Sequence, residues 1–450
     1  MPMPPILEIL MPTVVIHAPT CYLILRTYTV NREGWDDMGL IGSGLYARHR
    51  LDISLPDVLF GVFACGRYWR RERLEAEVLG HCALGDEGLV CYSVRSGWDL
   101  WLRAKGLRAG DEVIVSAVTH PDMVRIIHRH GLRAVPVDID PDTLAPRART
   151  LEVALTSRTR VVLVAHLFGG RMDLRPVARF AKEQGLLLAE DCAQAFQGPE
   201  TVGDTLADVS MYSFGTLKTA TALGGAVLRI RDHEVLCRMR EIQAAYPLQC
   251  TGSYLQKLLG ALGLIVVSRP KPYGVLARAC SWLGSDLDTL VNSAVRAFPP
   301  REQAFFRRLR HQPCSPLLAM LSRRLRVFDG ERIARRASAG ERFACRMRGD
   351  VVHPGGSSLR KTHWLFPVVV ADPEAMISGL RERGLDASRA TSSIAVVEGP
   401  AGRIPAEASQ MMSGVVFLPV YPGVSSRAIE VMVDLVNHST VDEAFAGVAR

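Results

Sequence analysis

The sequence lacks the short motifs that identify several large classes of enzyme. Its 450 residues contain no CxxC pair, no HExxH, no GxSxG and no phosphate-binding P-loop. Ten cysteines are scattered from Cys21 to Cys345, which argues against a zinc site or a disulfide framework and suits reduced thiols in a cytosol. Five prolines interrupt residues 1–20, so no clean apolar run follows a cationic start, and we predict no signal peptide.

Acidic residues are scarce in one segment, residues 246–330, which holds 12 Lys and Arg against four Asp and Glu. The net charge of +8 therefore belongs to this segment, and the rest of the chain gives no reason to predict nucleic-acid binding. Its apolar run at residues 258–268 is well short of the roughly 20 residues that span a bilayer. Basic residues beside apolar patches suit peripheral contact with an anionic membrane surface. An inserted helical subdomain that closes a cleft or packs at a subunit interface explains these basic residues and apolar patches equally well.

From about residue 55 the chain alternates between strand and helix patterns. Runs rich in Val, Leu and Ala predict strands at 88–91, 112–118, 134–137, 160–166, 186–190, 208–213 and 225–230. Amphipathic patterns predict helices at 70–79, 98–105, 121–130 and 174–183. Near-continuous apolar strands separated by helices indicate an α/β fold with a mostly parallel sheet buried on both faces. Ligands of such sheets bind at the carboxyl ends of the strands.

Four segments follow from these patterns. We predict an irregular extension (1–54), a large α/β domain (55–245), a helical insertion that is basic and apolar (246–330) and a small α+β C-terminal domain (331–450). In the last of these we expect a helix at 332–345, a strand at 364–370, a helix at 373–383, a strand at 414–419 and a helix at 425–436. The irregular composition before Met38 leaves open whether Met1 or Met38 starts the protein.

Two residues carry the main chemical signal. Asp191 ends the predicted strand in LLLAEDCAQAF, and Lys218 lies in SMYSFGTLKTATALGGAV, an uncharged stretch that would partly desolvate its ammonium group. Burial lowers the pKa of a lysine and frees its amine to attack a carbonyl group. A pyridoxal phosphate (PLP) enzyme needs such a lysine, and an acid that keeps the pyridine nitrogen protonated. Taken alone, Lys218 would be a surface lysine, and Asp191 a helix N-cap.

Other residues are candidates for the same site. Gln194 could donate to the phenolic oxygen of PLP, and His120 could lie flat against the ring. Ser96 and Gly97, which we expect at the start of a helix, and Ser213 are candidate phosphate contacts. His166 and His363 are candidates for a substrate cleft, and Cys192 is more readily explained as a small core residue than as a nucleophile. No metal site is predicted.

These residues, in this order, resemble the DegT/StrS family of fold-type I PLP enzymes, the sugar aminotransferases. The matching landmarks are RSGWDLWLRAKGLRAGDEVIVSAVTHPD, VPVDIDPDTL, VVLVAHLFGGRMDL, LLLAEDCAQAF, SMYSFGTLKTATALGGAV and VVFLPVYPGVSS. The resemblance implies a large PLP domain with a mostly parallel seven-stranded sheet, a smaller C-terminal domain, and a homodimer with active sites at its interface.

By position, the resemblance implies a role for each candidate residue. Lys218 corresponds to the Schiff-base lysine, Asp191 to the partner of the pyridine nitrogen, Gln194 to the phenolic-oxygen contact and His120 to the stacking residue. Ser96, Gly97 and Ser213 correspond to phosphate contacts. Trp98 stands where the family has threonine, which removes one hydroxyl from the phosphate cup. Residues 246–330 stand where an Asn-Tyr-Arg-Met-like segment normally reaches the neighbouring subunit.

The sequence therefore predicts an aminotransferase that moves an amino group from glutamate to a nucleotide-linked keto sugar, in amino-sugar or cell-surface glycan biosynthesis. A PLP-dependent sugar dehydratase is one alternative, although that branch of the family has histidine in place of Lys218. A degenerate PLP fold with a regulatory or scaffold role is another. The expected partners are small-molecule substrates and a second copy of the chain, with a cytoplasmic location and possible membrane association through 246–330.

Overall fold

The computed structural model of the chain describes residues 44–202, 205–295, 298–299, 301–389, 394–399, 402 and 404–439. Met38 and most of the predicted extension 1–54 lie outside the described residues.

Strands of the described residues form one large sheet and several short pairs. In chain order they are β1 Gly88–Cys91, β2 Glu112–Ser116, β3 Val118–Thr119, β4 Arg133–Val137, β5 Thr159–Ala165, β6 Gly170–Arg171, β7 Leu187–Asp191, β8 Val209–Ser213, β9 Ala226–Ile230, β10 Arg360–Lys361, β11 Phe366–Val369, β12 Ala395–Val396 and β13 Val415–Leu418. The large sheet has seven strands in the order β1-β9-β8-β7-β5-β2-β4. Strands β4, β2, β5, β7 and β8 are parallel, whereas β9 pairs antiparallel with β8 and β1. The predicted seven-stranded, mostly parallel sheet is confirmed.

Helices cover both faces of this sheet. In chain order they are α1 Leu55–Cys65, α2 Arg71–His81, α3 Val94–Lys105, α4 Pro121–Arg129, α5 Ala148–Ala154, α6 Arg175–Glu183, α7 His233–Ala244, α8 Thr251–Val267, α9 Pro270–Trp282, α10 Leu287–Val295, α11 Glu302–Leu309, α12 Ser315–Arg326, α13 Gly330–Ala344, α14 Pro373–Glu382, α15 Ala406–Gly414 and α16 Ser426–His438. One buried cluster joins the sheet to α3, α4 and α7, and another joins it to α5 and α6. A sheet buried on both faces explains why its strands are apolar at nearly every position.

Helix α3 begins four residues before the predicted start at Trp98. Ser93 is its N-cap, because the Ser93 hydroxyl accepts a hydrogen bond from the Ser96 N–H. The predicted end at Gly106 is confirmed, since this residue has φ of 63° and its N–H donates to the Leu102 carbonyl. The earlier start places Ser96 and Gly97 inside the first helical turns rather than ahead of them.

The segment predicted as a helical insertion is helical, and Leu248 near its start lies beside Gln312, which precedes its last helix. Leu248 and Gln312 form a parallel bridge in which the Gln249 N–H donates to the Gln312 carbonyl (2.9 Å) and the Gln312 N–H to the Pro247 carbonyl (2.9 Å). Helices α8 to α11 lie between these residues, so they leave and rejoin the fold at one point. None of the helices in the described part of the chain is both long and apolar enough to cross a membrane.

The C-terminal part contains the α+β pattern that the sequence predicts. Strands β11 and β13 pair antiparallel, and α14 and α16 pack around the same buried cluster. Two short pairs, β12 with β3 and β10 with β6, join this part to the large domain. Residues from Gly42 onward group as one compact unit, so the predicted domain boundaries at 245 and 330 remain predictions.

Candidate active site

The candidate site lies at the carboxyl ends of neighbouring parallel strands. Strand β7 ends at Asp191 and β8 ends at Ser213, and the two strands pair in parallel. Lys218 follows in the turn between β8 and β9, where its N–H donates to the Gly215 carbonyl (3.0 Å). The acid, the serine and the lysine that the sequence singles out therefore come together at one edge of the sheet.

Lys218 is a partly buried amine with an aromatic neighbour. Its Nζ lies 4.4 Å from the centre of the Trp364 ring. Burial lowers the pKa of Lys218 to about 8, the Asp191 carboxylate opposes this change, and the Arg95 charge adds to it. A lowered pKa leaves more of the amine neutral near pH 7, and a neutral amine is what attacks a carbonyl group.

The turn that carries Lys218 is held by its own backbone. The Phe214 carbonyl accepts hydrogen bonds from the N–H groups of Ala222 and Gly224, both at 3.0 Å. The Thr221 hydroxyl donates to the Gly215 carbonyl at 2.6 Å. Leu223 has φ of 61°, a left-handed conformation that non-glycine residues adopt only where the surroundings impose it.

Residues 44–54, which the sequence assigned to an irregular extension, form one wall around this turn. His49 Nε2 lies 3.1 Å from the Leu217 carbonyl oxygen, and its ring packs edge-on against Trp364. Asp52 accepts a hydrogen bond from the Ala220 N–H (2.7 Å) and forms an ion pair with Arg332. Burial, with the charges of Arg336 and Lys218, lowers the pKa of His49 to about 4, so His49 is neutral beside the lysine.

Asp191 is buried and close enough to Lys218 for each charge to shift the pKa of the other group. Burial raises the pKa of Asp191, while the Ala193 N–H and the positive charges of Lys218 and Arg95 oppose this rise. The Ala193 N–H donates to Asp191 Oδ1 at 2.9 Å and fixes the carboxylate. Gln194, on the same loop, accepts a hydrogen bond from the Phe168 N–H through Oε1 (2.8 Å). Its amide orientation is therefore set, with Nε2 as the remaining donor.

His120 is the N-cap of α4, and a cluster of charged residues surrounds it. Its Nδ1 accepts a hydrogen bond from the Asp122 N–H (3.1 Å), and its Nε2 lies 2.5 Å from Arg95 Nη2. Arg95 also forms an ion pair with Asp122, with 2.7 Å between Nε and Oδ2. Burial, then the charges of Arg95 and Lys218, lower the pKa of His120 well below its usual range, so its ring is neutral. The sequence analysis did not single out Arg95.

The three α3 residues predicted around the cofactor phosphate have other contacts. The Ser96 hydroxyl donates to the Leu309 carbonyl (2.7 Å), and the Gly97 N–H donates to the Ser93 carbonyl (3.0 Å). Trp98 is fully buried, stacks on Trp101 and donates from Nε1 to the Met123 carbonyl (3.3 Å). Trp98 is therefore a core residue, because its position on the helix turns the indole away from the site.

Both histidines predicted to line a substrate cleft are buried in other contacts. His166 Nε2 lies 2.9 Å from Glu190 Oε2, and its Nδ1 accepts a hydrogen bond from the Met172 N–H (3.3 Å). Burial alone would raise the pKa of Glu190, but hydrogen bonding to His166, with the charges of His166 and Arg171, lowers it to about 2. Because successive side chains of a strand point to opposite faces of the sheet, Glu190 contacts His166 and Asp191 faces the candidate site.

His363 lies in the packing of the C-terminal part. Its Nε2 is 3.0 Å from Glu341 Oε1, and its ring stacks against His353 and Phe366. The next residue, Trp364, is the one that reaches the site: it contacts Lys218 and donates from Nε1 to the Leu217 carbonyl (3.0 Å). The sequence predicts His363 for the cleft, whereas in the structure its neighbour Trp364 is the residue that contacts Lys218.

His166, Glu190 and Cys192 place three possible metal-ligating atoms within 4.8 Å of one another. Arg171 lies 3.4 Å from Glu190 Oε2, and burial raises the pKa of the Cys192 thiol well above its usual value. A protonated thiol and a neighbouring guanidinium both oppose cation binding. These contacts are those of a buried ion-pair network that supports the strand ending at Asp191.

With this geometry defined, the chain can be compared with known proteins. A profile described as the DegT/DnrJ/EryC1/StrS aminotransferase family matches residues 66–261. This segment of the chain belongs to that family. The resemblance inferred from the sequence motifs is confirmed.

Individual relatives extend the comparison. The chain is 32% identical over 191 residues to a pleiotropic regulatory protein of Geobacillus stearothermophilus, covering 41% of this chain and 50% of that protein. It is 37% identical over 155 residues to L-glutamine:2-deoxy-scyllo-inosose aminotransferase of Streptomyces fradiae, covering 33% of this chain and 36% of the relative. The chain thus spans half or less of the length of these relatives.

Similarity to a solved structure extends over much more of the chain. The aminotransferase TlmJ from Streptoalloteichus hindustanus superposes with a TM-score of 0.64 at 22% identity, covering 90% of this chain and 100% of that one. At this level of identity the likeness shows a shared fold, which agrees with the seven-stranded sheet described above.

Proposed function

We propose that this chain is a PLP-dependent aminotransferase that transfers an amino group to a keto sugar. The observation that carries this proposal is the pairing of Lys218 with Asp191 at the carboxyl edge of the sheet, where each charge alters the pKa of the other group. We further propose that glutamate is the amino donor, that a nucleotide-linked keto sugar is the acceptor, and that the reaction belongs to amino-sugar or cell-surface glycan biosynthesis.

The residues of the site fit PLP in charge and in kind. A buried carboxylate suits a protonated pyridine nitrogen, an amine with a pKa of about 8 suits an aldehyde, and the neutral His120 ring suits stacking. When bound, PLP supplies an aldehyde that takes up an amino group and a ring that accepts the electrons released when a neighbouring C–H bond breaks. Asp191 and Lys218 would hold it, with Gln194 and Ser213 as further contacts.

The chain itself supplies acid–base chemistry and exclusion of water. Lys218 Nζ, once free, can take a proton from the substrate carbon and return it to another carbon, which a pKa of about 8 favours near neutral pH. Trp364 covers this amine on one side, and the segment around His49 and Asp52 closes the turn that carries it. These contacts limit the mobility of the amine and shield it from water.

A regulatory role is the second candidate function. One ground is the relative from Geobacillus stearothermophilus, which is named a pleiotropic regulatory protein. The other is that the Ser96 hydroxyl donates to the Leu309 carbonyl and Trp98 has no hydroxyl, so neither of these two residues offers a hydroxyl donor to a phosphate group. The dehydratase alternative is disfavoured, because that branch of the family has histidine where this chain has Lys218.

The expected assembly and location belong to the same proposal. An exposed apolar side of α1 supports a homodimer, and an exposed apolar and basic part of α8 and α9 supports peripheral contact with an anionic membrane. The free cysteines among the described residues suit a reducing, cytoplasmic location.

The proposal is tested by locating PLP on the protein and following the amino group. Purified protein is mixed with PLP, treated with borohydride and digested, and mass spectrometry should find the cofactor on Lys218. Glutamate should then shift the cofactor absorbance, and a nucleotide-linked keto sugar should restore it. Lys218→Ala should remove the covalent label. Asp191→Asn should keep the label but slow the reaction with glutamate by roughly 100-fold or more. Lys182→Ala, at an exposed lysine of α6, should change neither the label nor the rate.

Two outcomes would reject the proposed activity. A protein that takes up no PLP would support the scaffold alternative. A protein that binds PLP on Lys218 but whose cofactor spectrum responds to no amino donor, whether glutamate, glutamine or another amino acid, would support the regulatory one.

A further inference from the structure

The first turn of α3 faces the candidate site, but the donors assigned there are used within the protein. The Ser96 N–H donates to the Ser93 hydroxyl (3.1 Å), the Ser96 hydroxyl to the Leu309 carbonyl (2.7 Å) and the Gly97 N–H to the Ser93 carbonyl (3.0 Å). Trp98 has no hydroxyl and lies in the core. A phosphate group bound at this turn would therefore receive no hydrogen bond from the Ser96 hydroxyl, from the Ser96 and Gly97 N–H groups or from Trp98.

Arg95, in the same turn, places a cation at this position. Its side chain is 23% exposed, and its guanidinium contacts Asp122 and His120 and lies 5.0 Å from the centre of the Phe298 ring. Its charge lowers the pKa of both Asp191 and Lys218. Arg95 is therefore close to Lys218 and also lies at the N-terminus of α3, where the helix dipole stabilises anions.

The contact between Arg95 and His120 has too many donors and too few acceptors. If His120 Nδ1 accepts the Asp122 N–H, the ring proton is on Nε2 and meets the Arg95 Nη2 donor at 2.5 Å. If Nε2 is the acceptor instead, the proton on Nδ1 meets the Asp122 N–H. Because a guanidinium accepts no hydrogen bond, one N–H lacks an acceptor in either tautomer.

Arg95 Nε is buried beside an acceptor, because Asp122 Oδ2 lies 2.7 Å away as its ion-pair partner. The unmatched donors are therefore those at the contact between Arg95 Nη2 and His120. An oxyanion beside Arg95 and His120 would accept from both residues and satisfy these donors. A phosphate monoester is suited to this because it offers several strong acceptor oxygens to an arginine.

We infer that Arg95 binds the phosphate group of the cofactor and takes the place of the hydroxyl donors that Ser96 and Trp98 do not offer. This inference rests on the proposed PLP-dependent function. Arg95 would then be specific for the phosphorylated form of the cofactor, and the pyridoxal ring would be held by other residues.

The experiment compares two ligands that differ only in the phosphate. Cofactor-free protein is titrated with pyridoxal 5'-phosphate and with pyridoxal, and binding is followed by absorbance. Arg95→Gln should weaken binding of the phosphorylated ligand roughly 10- to 100-fold, the loss expected for a hydrogen bond to a charged group, and should change pyridoxal binding less than threefold. Inorganic phosphate should compete with the phosphorylated ligand in the wild type more strongly than in the variant.

Two further variants separate binding from folding. Arg95→Lys keeps the charge and should recover part of the affinity for the phosphorylated ligand. Arg103→Gln, on the exposed end of the same helix where Arg103 donates to the Tyr246 hydroxyl, should leave both affinities unchanged. Thermal melting of each variant shows whether the fold is intact.

Three results would overturn the inference. Equal weakening of both ligands would assign Arg95 to the ring or to the fold, and no weakening of either would remove it from the site. Weaker binding of glutamate with unchanged cofactor binding would assign Arg95 to the carboxylate of the amino donor. Failure of the proposed function is distinct, because the wild type would then either bind neither form of the cofactor on Lys218 or bind PLP there without a spectral response to any amino donor.

Discussion

At the scale of single residues, the reactivity of Lys218 depends on two opposed charges and on burial. Burial, opposed by the Asp191 carboxylate and assisted by the Arg95 charge, lowers the pKa of its amine to about 8. The same amine can therefore be neutral when it attacks an aldehyde and protonated when it returns a proton. Its surroundings come from distant parts of the chain, since Trp364 and residues 44–54 both contact its turn.

We predict that Lys218 in the cofactor-free protein titrates with a midpoint near pH 8. Because the pKa is lowered, its reaction with acetic anhydride should increase up to about pH 8 and level off above it. Asp191→Asn removes the charge that favours the ammonium form, so the midpoint should move to lower pH. The measurement is competitive labelling followed by mass spectrometry, with the exposed Lys182 as the reference in each digest. A midpoint above pH 10 would contradict the burial of the amine.

The residues of the site were predictable only where their place in a strand or turn was clear. Lys218 and Asp191 could be found because each follows a well-marked apolar strand. Helix α3 starts four residues earlier than predicted, so Trp98 lies within the helix rather than at its start, and there it is fully buried. Arg95 was missed because nothing local distinguishes it, and its partner Asp122 lies on another helix.

At the scale of elements, the predicted strands of the large sheet were accurate because buried parallel strands are continuous apolar runs. Helix α1 gave no such signal: its exposed residues Leu55, Leu59 and Phe63 are apolar while the charged Asp57 is buried, so no amphipathic pattern marks it. The bridge between Leu248 and Gln312 could not be predicted from the sequence either, because a contact between residues so far apart in sequence has no periodic signature.

The pair of helices α8 and α9 has the composition of a membrane-contacting element. Val275, Trp282 and Leu283 are 59%, 87% and 68% exposed, although all three are apolar. Arg269, Lys271 and Arg278 lie on the same helix or directly before it, and no acidic residue occurs from 242 to 285. An apolar surface with cations and no anions is complementary to an anionic lipid surface.

We predict that the full chain sediments with vesicles of phosphatidylcholine and phosphatidylglycerol in equal parts but not with phosphatidylcholine alone. Replacement of Arg269, Lys271 and Arg278 by glutamine should weaken binding on the order of 100-fold, since each cation near the surface contributes about 1 kcal/mol. Added salt should weaken it as well. Trp282→Ser with Leu283→Ser should reduce binding, whereas Leu359→Ser, at an equally exposed position outside the insertion, should not. Absence of sedimentation with both vesicles would end the membrane proposal.

At the scale of the whole molecule, one further apolar surface requires a partner. Leu55, Leu59 and Phe63 are spaced by four residues on the outer side of α1 and are 51%, 55% and 60% exposed. The opposite side of α1, with Val58, is buried against α8 and α12. Soluble proteins seldom leave such a continuous apolar stripe in water, and a second copy of the chain related by a two-fold axis would cover it.

We predict that the purified chain, of 49.4 kDa, sediments at micromolar concentration with the mass of a dimer. Leu59→Glu with Phe63→Glu places two charges on each copy at the proposed contact, and like charges buried across a two-fold axis repel one another. This double variant should sediment as a monomer and still bind PLP on Lys218, because neither residue is among those that contact the turn of Lys218. Val153→Glu adds a charge at an exposed apolar residue of α5, 74% exposed, and should leave the dimer unchanged. A monomeric wild type, or a double variant that remains dimeric, would show that α1 does not form the subunit interface.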